Sequence, residues 1–336
     1  MKRDRIVLAH GGGGALTHEL IASVIVPKLD NPVLRTMDDS AVLSLGSGEY
    51  AFTTDSYVVK PHRFPGGDIG KLAVCGTVND LAMQGAEPLW LSLGLILEEG
   101  LPVAELESIV ESIGRTAAGV GVRVATGDTK VVERGRGEAV YINTAGIGRI
   151  VTRRRLSAAS VQPGDVVLVN GNLAEHGIAV LSQREGIAFR TSVVSDCAAL
   201  WPLVKTILES GAEVHAMRDP TRGGLAAAVC DIAAASGVGI RLQEKALPVS
   251  AEVRGACEML GLDPLNIANE GKVVVFCRGT DVVRVLDAMR AHPLGRDARV
   301  IGEVTEQPKG MVLLRTAIGG ERIVDMPTGE DLPRIC

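Results

Sequence analysis

The chain has 336 residues, with 35 Lys+Arg against 40 Asp+Glu, a formal net charge of -5, 46% hydrophobic residues and 3% aromatic residues. That length holds about two domains of ordinary size, and the mixture of apolar and charged residues excludes a disordered or collagen-like chain. The acidic balance argues against a protein built to neutralise phosphate backbones, and so few aromatics argue against a base-stacking platform, so no nucleic-acid partner is expected.

Residues 1–35 read as an arm: a short apolar piece, the glycine loop Gly11–Gly14, and a helix through Leu20–Ile25. From Ala41 the text turns to strands, at Ala41–Leu45 and Tyr50–Thr54. A helix follows around Ile69–Met83, then an apolar strand at Leu89–Leu97, then an amphipathic helix over Val103–Ala118. Strands are expected at Val122–Ala125 and Ala139–Thr144. The basic run Arg153–Arg155 and the turn Pro163-Gly164-Asp165 mark a linker, so the first domain is placed at 36–150 and the second at 151–326. In the second half, helices are expected at 174–185, 199–210, 224–236 and 281–291, with strands at 166–169, 273–277 and 299–303. This alternation reads as α/β or α+β. Residues 327–336, with two prolines and no periodicity, read as a mobile tail. No h-region or cleavage site precedes the glycine loop, and Leu89–Leu97 is about half of the roughly 20 residues a spanning helix needs, so a cytoplasmic protein without a membrane partner is expected. The six cysteines are scattered with no Cys-x-x-Cys pair. A disulfide or zinc framework is not expected, and five of them read as small buried hydrophobes in a reducing compartment.

The strong nucleotide and metalloprotease motifs are absent. Gly66-Gly67-Asp68-Ile69-Gly70-Lys71-Leu72 has the wrong glycine spacing for a P-loop and lacks the hydroxyl that would hold Mg²⁺. No Gly-x-Gly-x-x-Gly survives, and Ala22 stands where a zincin would have its second His after His18-Glu19. What stands out is a set of aspartates read as lying at strand ends and turns: Asp38, Asp39, Asp55, Asp80 and Asp128. Aspartates cap helices and make turns; several of them after β-like runs also suit Mg²⁺ bridging nucleotide phosphates. Lys130 adds a cation suited to a transferring phosphoryl group. Gly11–Gly14 either wraps phosphates with backbone N–H groups or is a hinge. Arg218-Asp219-Pro220-Thr221-Arg222-Gly223-Gly224 opens a helix in the manner of an anion site. Glu270, in Asn269-Glu270-Gly271-Lys272, is either an exposed carboxylate at a site edge or a turn residue. Cys336, the last residue of a Pro-bounded tail, reads as exposed and mobile: either a tethered substrate or an incidental thiol.

Together Asp38-Asp39-Ser40-Ala41-Val42, Thr53-Thr54-Asp55-Ser56, Val78-Asn79-Asp80-Leu81-Ala82-Met83-Gln84-Gly85-Ala86-Glu87-Pro88, Thr126-Gly127-Asp128-Thr129-Lys130-Val131, Asp219-Pro220-Thr221-Arg222-Gly223-Gly224-Leu225, Asn269-Glu270-Gly271 and Pro333-Arg334-Ile335-Cys336 resemble the HypE family of hydrogenase maturation factors. That family lies within the aminoimidazole-ribonucleotide synthetase (PurM-like) superfamily. The likeness covers essentially the whole chain. It implies an α+β fold of two PurM-like domains, an N-terminal ATP-binding domain that pairs through β-strands in a homodimer, a C-terminal α/β domain and a flexible tail. It implies ATP and Mg²⁺ as cofactors, with Asp38, Asp39, Asp55, Asp80 and Asp128 holding the metal, and Gly12, Gly13, Thr54, Lys130, Asp219, Thr221, Gly223 and Gly224 around the nucleotide. It implies that a carbamoyltransferase, HypF, loads Cys336. ATP-dependent dehydration then turns the S-carboxamide into an S-cyanide, which passes through a HypC–HypD complex to the iron of a nickel–iron hydrogenase. Glu270 and Lys130 are the candidates for base and proton carrier. Two superfamily rivals are a selenophosphate synthetase, which needs a Cys or selenocysteine where this chain reads Leu8-Ala9-His10-Gly11, and a thiamine-phosphate kinase, which gives Cys336 no role. A third is a non-catalytic ATP-binding scaffold.

Overall fold

The computed structural model of the chain describes residues 12–25, 28, 34–36, 38–46, 48–184, 191–328 and 334–336. Gly11 of the glycine loop and residues 329–333 of the expected tail lie outside the described residues. The arm carries one short helix, α1 (Ala15–Leu20), continued by a π-helical turn over Ile21–Ile25.

The first unit is a five-stranded sheet with helices on one face. Its strands are β1 (Ala41–Leu45), β2 (Gly48–Tyr57), β5 (Ala86–Glu98), β6 (Arg123–Val132) and β7 (Val140–Ile150), in the order β1-β2-β7-β5-β6. A two-rung ribbon, β3 (Arg63–Phe64) with β4 (Gly67–Asp68), leads into α2 (Ile69–Met83). Asp68 caps that helix by accepting from the N–H groups of Gly70 and Lys71 at 2.8 and 2.9 Å, satisfying two of its orphan donors. Strand alternation sends Ala51, Thr53 and Tyr57 of β2 and Val140, Ile142 and Thr144 of β7 inward against α2. α3 (Val103–Val120) buries Ile109 and Ile113 on the same side. Among the described residues, none covers the opposite face of the sheet. Phe52, Trp90, Ile96 and Ile147 are all more than two-fifths exposed on it.

The second unit is a seven-stranded mixed sheet ordered β14-β13-β10-β12-β8-β11-β9. In chain order its strands are β8 (Asp165–Val169), β9 (Val214–Arg218), β10 (Gly239–Gln243), β11 (Val274–Arg278), β12 (Arg299–Thr305), β13 (Val312–Arg315) and β14 (Glu321–Val324); only β10 and β13 run parallel. The helices are α4 (Glu175–Leu181), α5 (Trp201–Glu209), α6 (Gly224–Ser236), α7 (Ala251–Leu260) and α8 (Val282–Ala291). The central strands read as nearly unbroken apolar runs because both faces are covered. Val167, Val169, Val274 and Phe276 pack against Leu225, Val229 and Ile232 of α6. Leu168, Val275 and Cys277 belong with Leu203, Val204 and Ile207 of α5 and Val285 and Met289 of α8. That second cluster runs on through Leu200 and Trp201 to Val74 and Val78 of α2, so one core crosses the junction between the units.

Three elements correct the sequence reading. Asp55 lies within β2, Asp80 in the last turn of α2 and Asp128 within β6, so these aspartates are not strand-end or turn residues. The sequence reading lacks β9, β10, α7, β13 and β14; the four strands are short, and the core selects them rather than local pattern. Residues 334–336 are seated, not mobile: Ile335 is 1% and Cys336 7% exposed, because the apolar core accepts the isoleucine.

Candidate active site at the junction of the two units

The residues before β1, the end of α2, the β9–α6 loop and the glycine arm converge on a cavity of about 340 Å³. Asp39, Asp80 and Asp219 bring carboxylate oxygens within 4.8 Å of one another there. Burial raises all three, Asp39 to about 6 and Asp219 to about 8; neighbouring carboxylates add to it, Asp38, Asp231 and Asp55 at Asp39, Asp39 and Asp55 at Asp219, and Asp55, Asp219 and Asp39 at Asp80. Arg218 answers part of this charge, its Nε 3.0 Å from Asp39 and its second guanidinium nitrogen 3.3 Å from Asp231. Thr53 donates to Asp80 at 2.8 Å and to the carbonyl of Asp39 at 3.2 Å. Three clustered carboxylates, two half-buried and one buried, with one arginine are an oxygen donor set that suits Mg²⁺, so these residues fit the metal.

Arg218, Asp219, Thr221, Arg222 and Gly224 line the cavity where α6 begins, and Gly13 and Thr17 close it from the arm. Gly223 and Gly224 take φ of +76 and +61, and a Cβ on Gly224 would stand 2.4 Å from the carbonyl oxygen of Leu265. Only glycine lets the loop turn this tightly into the helix. The N-terminus of α6 thereby faces the cavity, as an anion site requires.

Arg222, which lines the cavity, also holds the thiol. Cys336 Sγ accepts from Arg222 Nε at 3.0 Å, and burial pushes the thiol up to about 12. Glu270 is 3% exposed, with no hydrogen-bond partner for Oε1 among the described residues, and burial holds its carboxyl well above the usual range. It is thus not the exposed carboxylate expected from the turn sequence. Its backbone is clamped: Asp196 accepts from the N–H groups of Glu270 and Gly271, and Asn79 donates to the carbonyl of Glu270. Asn269 ties the same turn to the β9–α6 loop by donating to the carbonyl of Pro220 at 2.8 Å. Asp55 accepts from the Tyr57 hydroxyl at 3.0 Å, and its charge raises Asp80, Asp219, Glu270 and Cys336.

Other expected residues stand elsewhere. Asp38 accepts from Ser157 of the linker at 3.3 Å and is not in the three-carboxylate group. Thr54 points to the bare face of the sheet, where it donates to the carbonyl of Thr144; alternation along β2 makes Thr53 the inward hydroxyl. Gly12 is buried beside the cavity without lining it, and Gly223 caps the helix. Asp128 and Lys130 lie on the exposed edge strand β6, paired with each other at 2.6 Å, and within one chain they do not join the cluster. The sequence reading gives Thr53 and His176 no role, and it places Arg218 and Arg222 in an anion site without a part at the carboxylates or the thiol. The two arginines sit inside the Arg-Asp-Pro-Thr-Arg-Gly-Gly block, which was a usable signal, while His176 has no motif.

Residues 37–150 match the family described as AIR synthase related protein, N-terminal domain, and residues 162–315 the corresponding C-terminal domain. The chain is 49% identical to a carbamoyl dehydratase HypE of Cupriavidus necator, over 100% of this chain and 96% of that protein. Among solved structures it resembles a HypE–HypF complex at TM-score 0.87 and 46% identity, over 92% of this chain and 99% of the other. It also resembles a hydrogenase maturation protein HypE in complex with ATP at TM-score 0.83 and 44% identity, over 99% and 100% of the two chains.

Proposed function

The chain belongs to the HypE family of AIR-synthase-related proteins, and we propose that it uses ATP to dehydrate an S-carboxamide on Cys336 to an S-cyanide. The observation that carries this reading is one arrangement: a buried thiol held by Arg222, a residue that also lines the carboxylate cavity, with the buried Glu270 near enough to raise the thiol. A kinase for a small diffusible acceptor has no use for a chain segment seated at that point.

An amide oxygen is a poor leaving group, so it is first phosphorylated by ATP. The two N–H protons then leave as the C–O bond breaks; the oxygen departs in phosphate, one proton goes with it and one is released. Mg²⁺, when bound, supplies charge neutralisation to the phosphates, and Asp39, Asp80 and Asp219 would hold it. The α6 N-terminus and Arg218 orient the anion. Glu270 is the proton acceptor: a carboxylate with a raised pKa is a stronger base, and Arg222 is the cation that favours its ionised form. Burial of Cys336 and Glu270 keeps water from the activated amide.

Asp128 and Lys130 act at this site only across a homodimer. A second copy covering the bare sheet face would bury Phe52, Trp90, Ile96 and Ile147, whose exposure supports the pairing. The relative solved as a HypE–HypF complex supports a HypF-type carbamoyltransferase as the donor, with a HypC–HypD complex as the acceptor, in the cytoplasm. The test is intact mass after incubation with the carbamoyl donor, before and after ATP·Mg²⁺, with Cys336→Ala as control. Gain of one carbamoyl group, followed by loss of one water only with ATP, is expected; no adduct on Cys336 with an active donor refutes it.

A further inference from the structure

The contacts that hold residues 334–336 read a peptide, not a tether. The N–H groups of Val58 and Lys60 donate to the carbonyls of Cys336 and Arg334 at 3.2 and 3.1 Å, so the segment lies beside 58–60 as a short added strand. The carbonyl between them, that of Ile335, points the other way and accepts from His176 Nε2 at 2.9 Å. A carbonyl cannot donate, so Nε2 carries the proton and Nδ1 accepts from Ser195 at 2.8 Å, one tautomer locked in a fully buried ring. Arg184 donates to the carbonyl of Arg334 at 2.9 Å.

The side chains are read as well. Ile335 fills an apolar hole at 1% exposure. Arg334 pairs with Glu138, which also holds Lys60 at 3.1 Å. Arg334 has φ +61, a conformation glycine adopts without a Cβ penalty; an arginine here exchanges backbone ease for the Glu138 carboxylate. None of these bonds depends on the segment being joined to the rest of the chain.

We propose that this groove is a sequence-reading peptide site that accepts an Arg-Ile-Cys segment in trans. Resting on the dehydratase reading above, the protein then processes a free peptide bearing the S-carboxamide as it does its own tail. The carboxamide and ATP give S-cyanide, ADP, phosphate and one proton, with the amide oxygen leaving in the phosphate. Glu138 selects a basic residue two places before the cysteine, and the apolar hole selects the residue between.

The test uses the full chain carrying Arg334→Glu and Cys336→Ala, whose own tail is repelled by Glu138 and cannot react. Fluorescence anisotropy with labelled Pro-Arg-Ile-Cys should show saturable binding, at least tenfold weaker for Pro-Glu-Ile-Cys. In the Glu138→Lys, Cys336→Ala chain, which repels its native Arg334, that preference should invert. No saturable binding, or equal binding of the two peptides, overturns the peptide site. In the first variant, S-carboxamide peptide should lose one water only with ATP·Mg²⁺. If the native chain dehydrates its own Cys336 but no peptide, the trans activity is wrong and the dehydratase reading stands. If neither is dehydrated, that reading fails, and the binding arm still decides the peptide site.

Discussion

Ile335→Ala should release the tail. In the seated state the isoleucine side chain is 1% exposed within the shared core, and in the released state it meets water. The substitution removes three carbon groups from that burial, about 2.4 kcal/mol at about 0.8 kcal/mol each. At about 1.4 kcal/mol per decade, the released fraction rises about 50-fold. Inside, Cys336 is hidden from reagents and its thiol is pushed up to about 12, so only released molecules react. The assay is the alkylation rate of Cys336 by a maleimide at pH 7.5, corrected with Cys336→Ala for the other cysteines, of which Cys230 is partly exposed. A rise of about 50-fold is expected, levelling off once the tail is mostly out. ATP-dependent dehydration should fall while loading by the external transferase does not. An unchanged alkylation rate, or loading that falls while dehydration holds, refutes the reasoning.

Glu270→Gln keeps the shape of a buried side chain and removes a carboxyl whose ionisation the site disfavours. Dehydration should drop at least about 100-fold with a melting temperature no lower than that of the parent; retained turnover removes Glu270 as the base. Asp39 and Asp219 titrate at about 6 and about 8 in the folded chain against 3.8 for an ordinary aspartate. The native state therefore binds more protons between about pH 4 and 8, and stability falls as pH rises through that range. Mg²⁺ should accordingly raise the melting temperature more at pH 8 than at pH 5, and an equal rise at both would contradict the three-carboxylate site. Trp90→Glu places a charge on the bare sheet face, where the tryptophan is 45% exposed. It should yield monomers by sedimentation and lose dehydration with little change in unfolding midpoint; an active monomer would separate Asp128 and Lys130 from the chemistry.

Much of the architecture follows from local pattern. The apolar strand at 89–97 and the helices at 69–83 and 103–118 all form where periodicity directs. The Asp-Pro-Thr-Arg-Gly-Gly block announces a glycine-turned helix start, because the positive φ values at Gly223 and Gly224 are a backbone requirement that the residue types carry with them. Short elements such as β9 and β14 carry too few residues for a period, and only pairing within the sheet selects them.

Chemistry-bearing residue types are visible in a sequence, but their neighbours are not. Asp39, Asp80 and Asp219 are spread over 180 positions of chain and meet because β1, α2 and the β9–α6 loop pack at one junction. Asp128 carries the same side chain, yet it stands on an exposed edge. Whether Thr53 or Thr54 faces the carboxylates depends on the register of β2 against β7, and a single step reverses it. Exposure is likewise a tertiary property: Glu270 and Cys336 sit in polar, turn-like surroundings in the text, yet both are buried. Core packing from distant segments excludes water there and sets the proton affinities on which the chemistry depends.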